Sequence, residues 1–205
     1  MRNSIVLTFI LFLFTSVAAH ADVYLPFLVN TSSVSGSTGY LDFQFNPGGS
    51  NSLPETATII NFAGGSYNSS LGQTTAGAAS GGPVPSNIVL PNSTPYNDVF
   101  DGFNYGNTIA FTVDLSGLAR SNPNPNLPGS SFAFSMFNSS QTPILTSDPY
   151  GYAATINLNP DGSITVLTES PDVLALPEPA SLGLFGLPLL GLVAARLMRR
   201  HTRQV

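Results

Sequence analysis

"NTIAFTVDLSG", Asn107 to Gly117, decides the fold. Its large apolar residues fall at every second position: Ile109, Phe111, Val113 and Leu115. Thr108, Thr112 and Asp114 take positions between them. Successive side chains of a strand point to opposite faces, so this spacing makes one dry face and one wet one. An amphipathic helix would alternate apolar spacings of three and four, whereas here the spacing is an unbroken two. β-Branched and aromatic residues, which suit a pleated surface, fill the dry positions. The stretch reads as a half-buried strand.

The same period recurs in both directions. "TGYLDFQFN" sets Leu41, Phe43 and Phe45 on one face and Asp42 and Gln44 on the other. "SSFAFSMFN" alternates Phe132, Phe134 and Met136 with Ala133, Ser135 and Phe137. Further strands are predicted at Val23–Val29, Thr56–Phe62, Asn87–Leu90, Val99–Tyr105, Tyr152–Leu158 and Ser163–Thr168. The last two flank Asn159-Pro160-Asp161-Gly162. Proline presets one central dihedral of a turn, and glycine supplies the positive one that closes it. About nine strands with frequent turn signals predict an all-β domain over residues 22–170, an antiparallel β-sandwich or jelly roll. Phenylalanine, with fourteen copies in the chain, supplies the core.

Three segments carry no strand pattern. Residues 64–86, rich in Gly, Ser, Thr and Ala, read as a long flexible insertion. "NPNPNLP", Asn122 to Pro128, cannot continue a hydrogen-bond ladder and must be a connection. After Glu169, residues 171–176 read as a stalk.

Composition excludes several functions. The 205-residue chain has no cysteine, so disulfides, thiolate metal sites and a cysteine nucleophile are absent. Both histidines, His20 and His201, lie outside residues 22–176, which removes a Ser-His-Asp triad and a histidine-ligated zinc from the domain. Only 8% of residues are charged and there is no lysine. Residues 22–176 hold ten acids against one base, Arg120, a net of −9. Nucleic acid is therefore not an expected partner, because phosphate contacts need basic side chains.

The remaining arginines sit at the two ends. Arg2 precedes a ten-residue apolar run, Ile5–Phe14, which is too short to span a bilayer. Ala19-His20-Ala21 follows with the small-x-small spacing that signal peptidase cuts. Residues 1–21 are thus expected to be a signal peptide, cut after Ala21 or alternatively after Ala19. At the other end, the sixteen residues from Ala180 to Ala195 are apolar. As a helix they cover about 24 Å at 1.5 Å per residue, marginal for a ~30 Å hydrocarbon core. Arg196, Arg199, Arg200 and Arg203 follow and place this end in the cytoplasm by the positive-inside rule. A single weak transmembrane helix suits a temporary anchor.

Pro177-Glu178-Pro179, then Ala180-Ser181, a Leu/Gly-rich run and an arginine cluster resemble the PEP-CTERM sorting signal of Gram-negative bacteria. The likeness covers residues 177–205. It implies an exosortase that recognises Pro177-Glu178-Pro179 and removes the tail. It also implies a protein that is anchored transiently in the inner membrane and then reaches the outer surface or the extracellular matrix. Many carriers of the signal belong to exopolysaccharide producers, so exopolysaccharide is an implied partner. The middle of the chain resembles secreted PEP-CTERM proteins of no stated activity, through Gly39–Gly49 and Asn97–Asn107.

Within the domain, carboxylates are the remaining chemistry. A glycosidase needs two of them facing each other across a sugar. Glu55 follows a proline in a loop, Glu169 begins the stalk, and Asp42 and Asp114 read as solvent-facing. The expectation is no enzyme and no cofactor. A weak calcium candidate is Asn97, Asp98 and Asp101, three oxygen ligands within five residues, although a polar turn accounts for them as well. Asn30, Asn68, Asn92 and Asn138 satisfy the Asn-x-Ser/Thr pattern and read as turn chemistry. The sequence reading is a non-enzymatic surface protein associated with exopolysaccharide, or else a carbohydrate- or calcium-binding module.

Overall fold

The computed structural model describes residues 22–176. The expected signal peptide (residues 1–21), Pro177-Glu178-Pro179, the apolar tail and its arginines lie outside the described residues. Among the described residues no helix is long and apolar enough to cross a membrane.

Two antiparallel sheets enclose the core. One runs, in spatial order, through β13 (Val173–Ala175), β1 (Val23–Asn30), β9 (Thr108–Gly117), β3 (Glu55–Ala63), β7 (Ile88–Pro91) and β6 (Ser80–Gly81). The other runs through β12 (Ile164–Thr168), β11 (Tyr152–Leu158), β10 (Ser130–Asn138), β2 (Thr38–Pro47) and β8 (Asp98–Asn104). Two short strands, β4 (Ser66–Tyr67) and β5 (Gln73–Ala76), both pair with the far edge of β8.

The opening strand sits where its pattern demands. β9 is central in its sheet, and Ile109, Phe111, Val113 and Leu115 are all buried. Phe111 ties the two sheets together. Its ring stacks on Phe27 of its own sheet at 5.3 Å. It also meets Phe43 edge-on at 5.5 Å and Phe134 at 4.9 Å on the opposite sheet. These contacts are where the alternating dry faces of β1, β9, β2 and β10 become one core. The hairpin between β11 and β12 forms as expected. The Asn159 N–H donates to the Ser163 carbonyl at 2.8 Å, and Gly162 adopts φ +81°.

Four expectations need correction. The strand count is thirteen, because short edge pieces carry too few residues to display a period. Residues 64–86 are not a free insertion, since they supply β4, β5 and β6. The chain folds back over β8, where the Asn68 N–H donates to the Gly102 carbonyl and the Gly102 N–H to the Gly72 carbonyl. Glycine is required at 102, because a Cβ there would lie 2.4 Å from Leu71. The presumed stalk is also part of the sheet. β13 pairs antiparallel with β1 and buries Val173, covering an edge that would otherwise be bare. Finally, Glu55 opens β3 and is buried.

Candidate functional site

The outer face of the second sheet is the candidate site. Its residues follow from the pleat: Leu41, Phe43 and Phe45 go inward, so Tyr40, Asp42, Gln44 and Asn46 go outward on β2. The registers set Ser135 of β10 and Phe100 of β8 on either side of Asp42. Gln44 lies between Ala133 and Asp98, and Asn46 lies beside Ser131. One row further out, Asn157 of β11 pairs with Ser131, and Tyr152 pairs with Ser135 at a bulge. The face therefore has an aromatic end, a carboxylate centre and an amide end.

Asp42 is the first surprise. The alternation placed it in solvent, yet it is only 6% exposed. It points to the outer face as expected, but that face is roofed. Tyr96, from the loop before β8, brings its hydroxyl to Asp98. Asp98 lies diagonally across from Asp42 and makes hydrogen-bond contact with it, which requires one proton between the two carboxyls. Oδ1 of each is buried without a hydrogen-bond partner. Burial chiefly, and Asp98 next, push the Asp42 carboxyl up to about 9. At neutral pH the Asp42 carboxyl therefore keeps its proton. The same burial and the same carboxylates raise the Tyr96 phenol.

A chain of polar groups runs from this pair. Gln44 Nε2 donates to Asp42 Oδ2 at 2.7 Å, and Asn46 Nδ2 reaches Gln44 Oε1 at 3.4 Å. The Asn97 backbone N–H fixes Asn46 through its Oδ1 at 2.7 Å. Across the sheet, Ser131 Oγ donates to Asn157 Oδ1 at 2.9 Å. Between these two tracks lies an open groove of about 450 Å³, lined by Gln44, Asn46, Ser131, Tyr152 and Asn157. That volume suits a small ligand or one or two residues of a longer one. Tyr150 and Tyr152 stack at 6.2 Å at its rim, and Tyr150 is almost fully exposed. At the other end Tyr40 stacks on Phe100 at 4.6 Å, and Phe137 adjoins Phe100 at 5.5 Å. Amides and hydroxyls that both donate and accept, bounded by aromatic rings, match the surface of a sugar.

The calcium candidates do not converge. Asp98 lies on the outer face and Asp101 on the inner one, three positions along the same strand. Asp101 is fully buried, and its Oδ2 accepts the Val84 N–H at 2.9 Å, tying down the loop before β7. Burial raises its carboxyl above the usual range. Asn97 is a structural clamp. Its Oδ1 accepts from Ala78 N–H and Thr94 Oγ, and its Nδ2 donates to the carbonyls of Phe45 and Thr94. Among the described residues, no three His, Cys, Asp or Glu side chains gather as a metal cluster would.

Glu55 stands apart from the groove. Its Oε1 accepts the Ala119 N–H of the helical turn Leu118–Ser121, and its backbone N–H donates to Asn92. Burial pushes its carboxyl up to about 7 against the pull of Ala119 and Arg120. It holds a turn in place.

What the sequence reading missed is the Asp42–Asp98 pair. The two lie 56 residues apart, and their meeting depends on the register of β2 against β8. Comparisons with protein-family models, with curated proteins and with solved structures found no match for this chain.

Proposed function

We propose that residues 22–176 form a non-enzymatic module that holds neutral polysaccharide along the outer face of the seven-stranded sheet. The observation that carries this reading is the groove, in which Gln44, Asn46, Ser131 and Asn157 offer paired donors and acceptors beside Tyr152. A polymer of hydroxyl-rich sugars fits the open groove beside Tyr152 better than a small metabolite does. The net charge of −9 disfavours uronic acids, and the proton held by the Asp42–Asp98 pair keeps the neighbouring surface tolerant of neutral hydroxyls. The carboxylates touch each other, whereas a hydrolase pair stands ~5 to 9.5 Å apart, which supports binding over cleavage.

The test is retention on immobilised neutral glycans, including exopolysaccharide of the source organism. Tyr152→Ala and Gln44→Ala should each weaken binding about tenfold, as loss of a stacking ring or a paired amide does. Retention on no glycan, or equal retention by both variants, rejects the reading.

The sorting reading belongs to the same proposal. Residues 1–21 export the chain, residues 180–195 anchor it transiently as one transmembrane helix, and an exosortase acts at Pro177-Glu178-Pro179. The tail pattern itself is the support. If the full-length tail persists in the inner membrane of cells that possess the protease, the sorting reading fails.

A further inference from the structure

The first sheet carries an apolar patch on its outer face, at the edge where the described chain both begins and ends. Tyr24, Pro26 and Leu28 occupy successive outer positions of β1. Leu174 of β13 pairs directly with Leu28. Leu176 is pinned beside Pro26 by its backbone N–H, which donates to the Pro26 carbonyl at 2.9 Å. Tyr24, Leu28, Leu174 and Leu176 are four of the large hydrophobic side chains that stay exposed, each 40% or more. They form one contiguous surface. Its rim is acidic, with Asp22 and Asp114 at one end and Asp172 at the other.

The tether sets what this patch can touch. Only Pro177-Glu178-Pro179 separates Leu176 from Ala180, the start of the apolar run. A proline-rich spacer of this length reaches about 10 Å at ~3.1 Å per residue. The headgroup layer on each side of a bilayer is itself some 5–8 Å deep. With the run embedded, Leu176 and its neighbours are therefore held at or just above headgroup depth. The run is also short, about 24 Å against a ~30 Å hydrocarbon core, so mismatch draws the domain further toward the membrane. A tyrosine flanked by leucines is the composition that settles at such an interface.

We propose that the Tyr24–Leu28–Leu174–Leu176 face is a membrane-seating surface. It rests on the outer leaflet of the inner membrane while the tail is in place, and it presents Pro177-Glu178-Pro179 at headgroup depth to a membrane-embedded protease. This rests on the anchor reading of residues 180–195. The occupant is the zwitterionic lipid surface. The acidic rim disfavours anionic lipid and lets the patch leave the bilayer once the tail is cut.

The absence of cysteine makes the test direct. The full chain from Asp22 to Val205, carrying Leu28→Cys, Leu174→Cys or Thr75→Cys, is labelled with an environment-sensitive fluorophore and reconstituted into phosphatidylcholine vesicles. Thr75 is exposed on β5, at the opposite edge of the sandwich. Headgroup and shallow acyl nitroxide lipids should quench the probes at 28 and 174 at least threefold more than the probe at 75. Flotation is read in the same samples. A chain that does not float removes the anchor reading and this inference with it. A chain that floats with equal quenching at all three sites overturns this inference alone. Probes at 28 and 174 that are shielded without lipid, and increasingly so with protein concentration, assign the face to a second copy and also overturn it.

Discussion

At the scale of single residues, Asp42 makes the most measurable claim. Its carboxyl stands near 9 in the fold against 3.8 in the open chain. A group raised in this way binds a proton that the unfolded state has released. Its contribution is therefore fully present below about pH 4 and is lost as pH climbs toward 9. Glu55, raised to about 7, acts in the same direction between roughly pH 4.5 and 7. Thermal stability should accordingly decline as pH rises from about 4 toward 9. Asp42→Asn imitates the protonated form, since its amide can still accept from Gln44 and can donate to Asp98. Removing even a tenfold difference in proton affinity between the folded and open chains is worth about 1.4 kcal/mol, or ~3–5 °C in Tm for a chain of this size. The variant should melt that much higher at pH 8, match the parent near pH 4 and show a flatter profile between. A lower Tm at pH 8, or an unchanged slope, would refute the shared-proton account.

At the scale of elements, the segment from Gly64 to Ser86 shows where local reading ends. Long strands such as β2, β9 and β10 were legible because nine or ten alternating residues leave little choice of face. β4, β5 and β6 hold two to four residues each, mostly Gly, Ser, Thr and Ala. Their strand character comes from β7 and β8, which have open edges to pair, and from Gly102, which lets the chain lie close. The groove shared this fate. Its residues were visible as outward positions, but their neighbours were fixed by register across four strands. The role of Asp101 is hidden for a related reason, since nothing near it in sequence reveals the Val84 N–H that it satisfies. Asp101→Ala leaves that buried donor without a partner, at a cost of about 1–3 kcal/mol. The loss should be local as well as global, with amide exchange and protease cutting rising first within residues 77–87. Unchanged protection there would mean that the carboxylate does not hold the loop.

At the scale of the whole molecule, the described chain closes on itself. β1 and β13 share an edge, so the sandwich is completed only when residues 173–175 return to residues 27–29. Pairing residues this distant in sequence carries a loop-closure cost, which slows folding. The proposed sorting motif, Pro177-Glu178-Pro179, is separated from the last strand residue by Leu176 alone. Any processing cut must therefore fall beyond Ala175 to leave a sealed domain. A product ending at Ser170 would lose the burial of Val173, worth about 1.5–3 kcal/mol. It would also lose the hydrogen bonds that Asn30 and Leu176 make across this edge, worth about 0.5–1.5 kcal/mol each. The bared β1 edge would carry the exposed Tyr24 and Leu28 and would pair with a second copy. The comparison is residues 22–176 against residues 22–170, by urea unfolding and by sedimentation. The shorter protein should lose about 2.5–6 kcal/mol and self-associate at micromolar concentration, while the longer one stays monomeric. Equal stability and equal mass for both would show that β13 is a stalk after all.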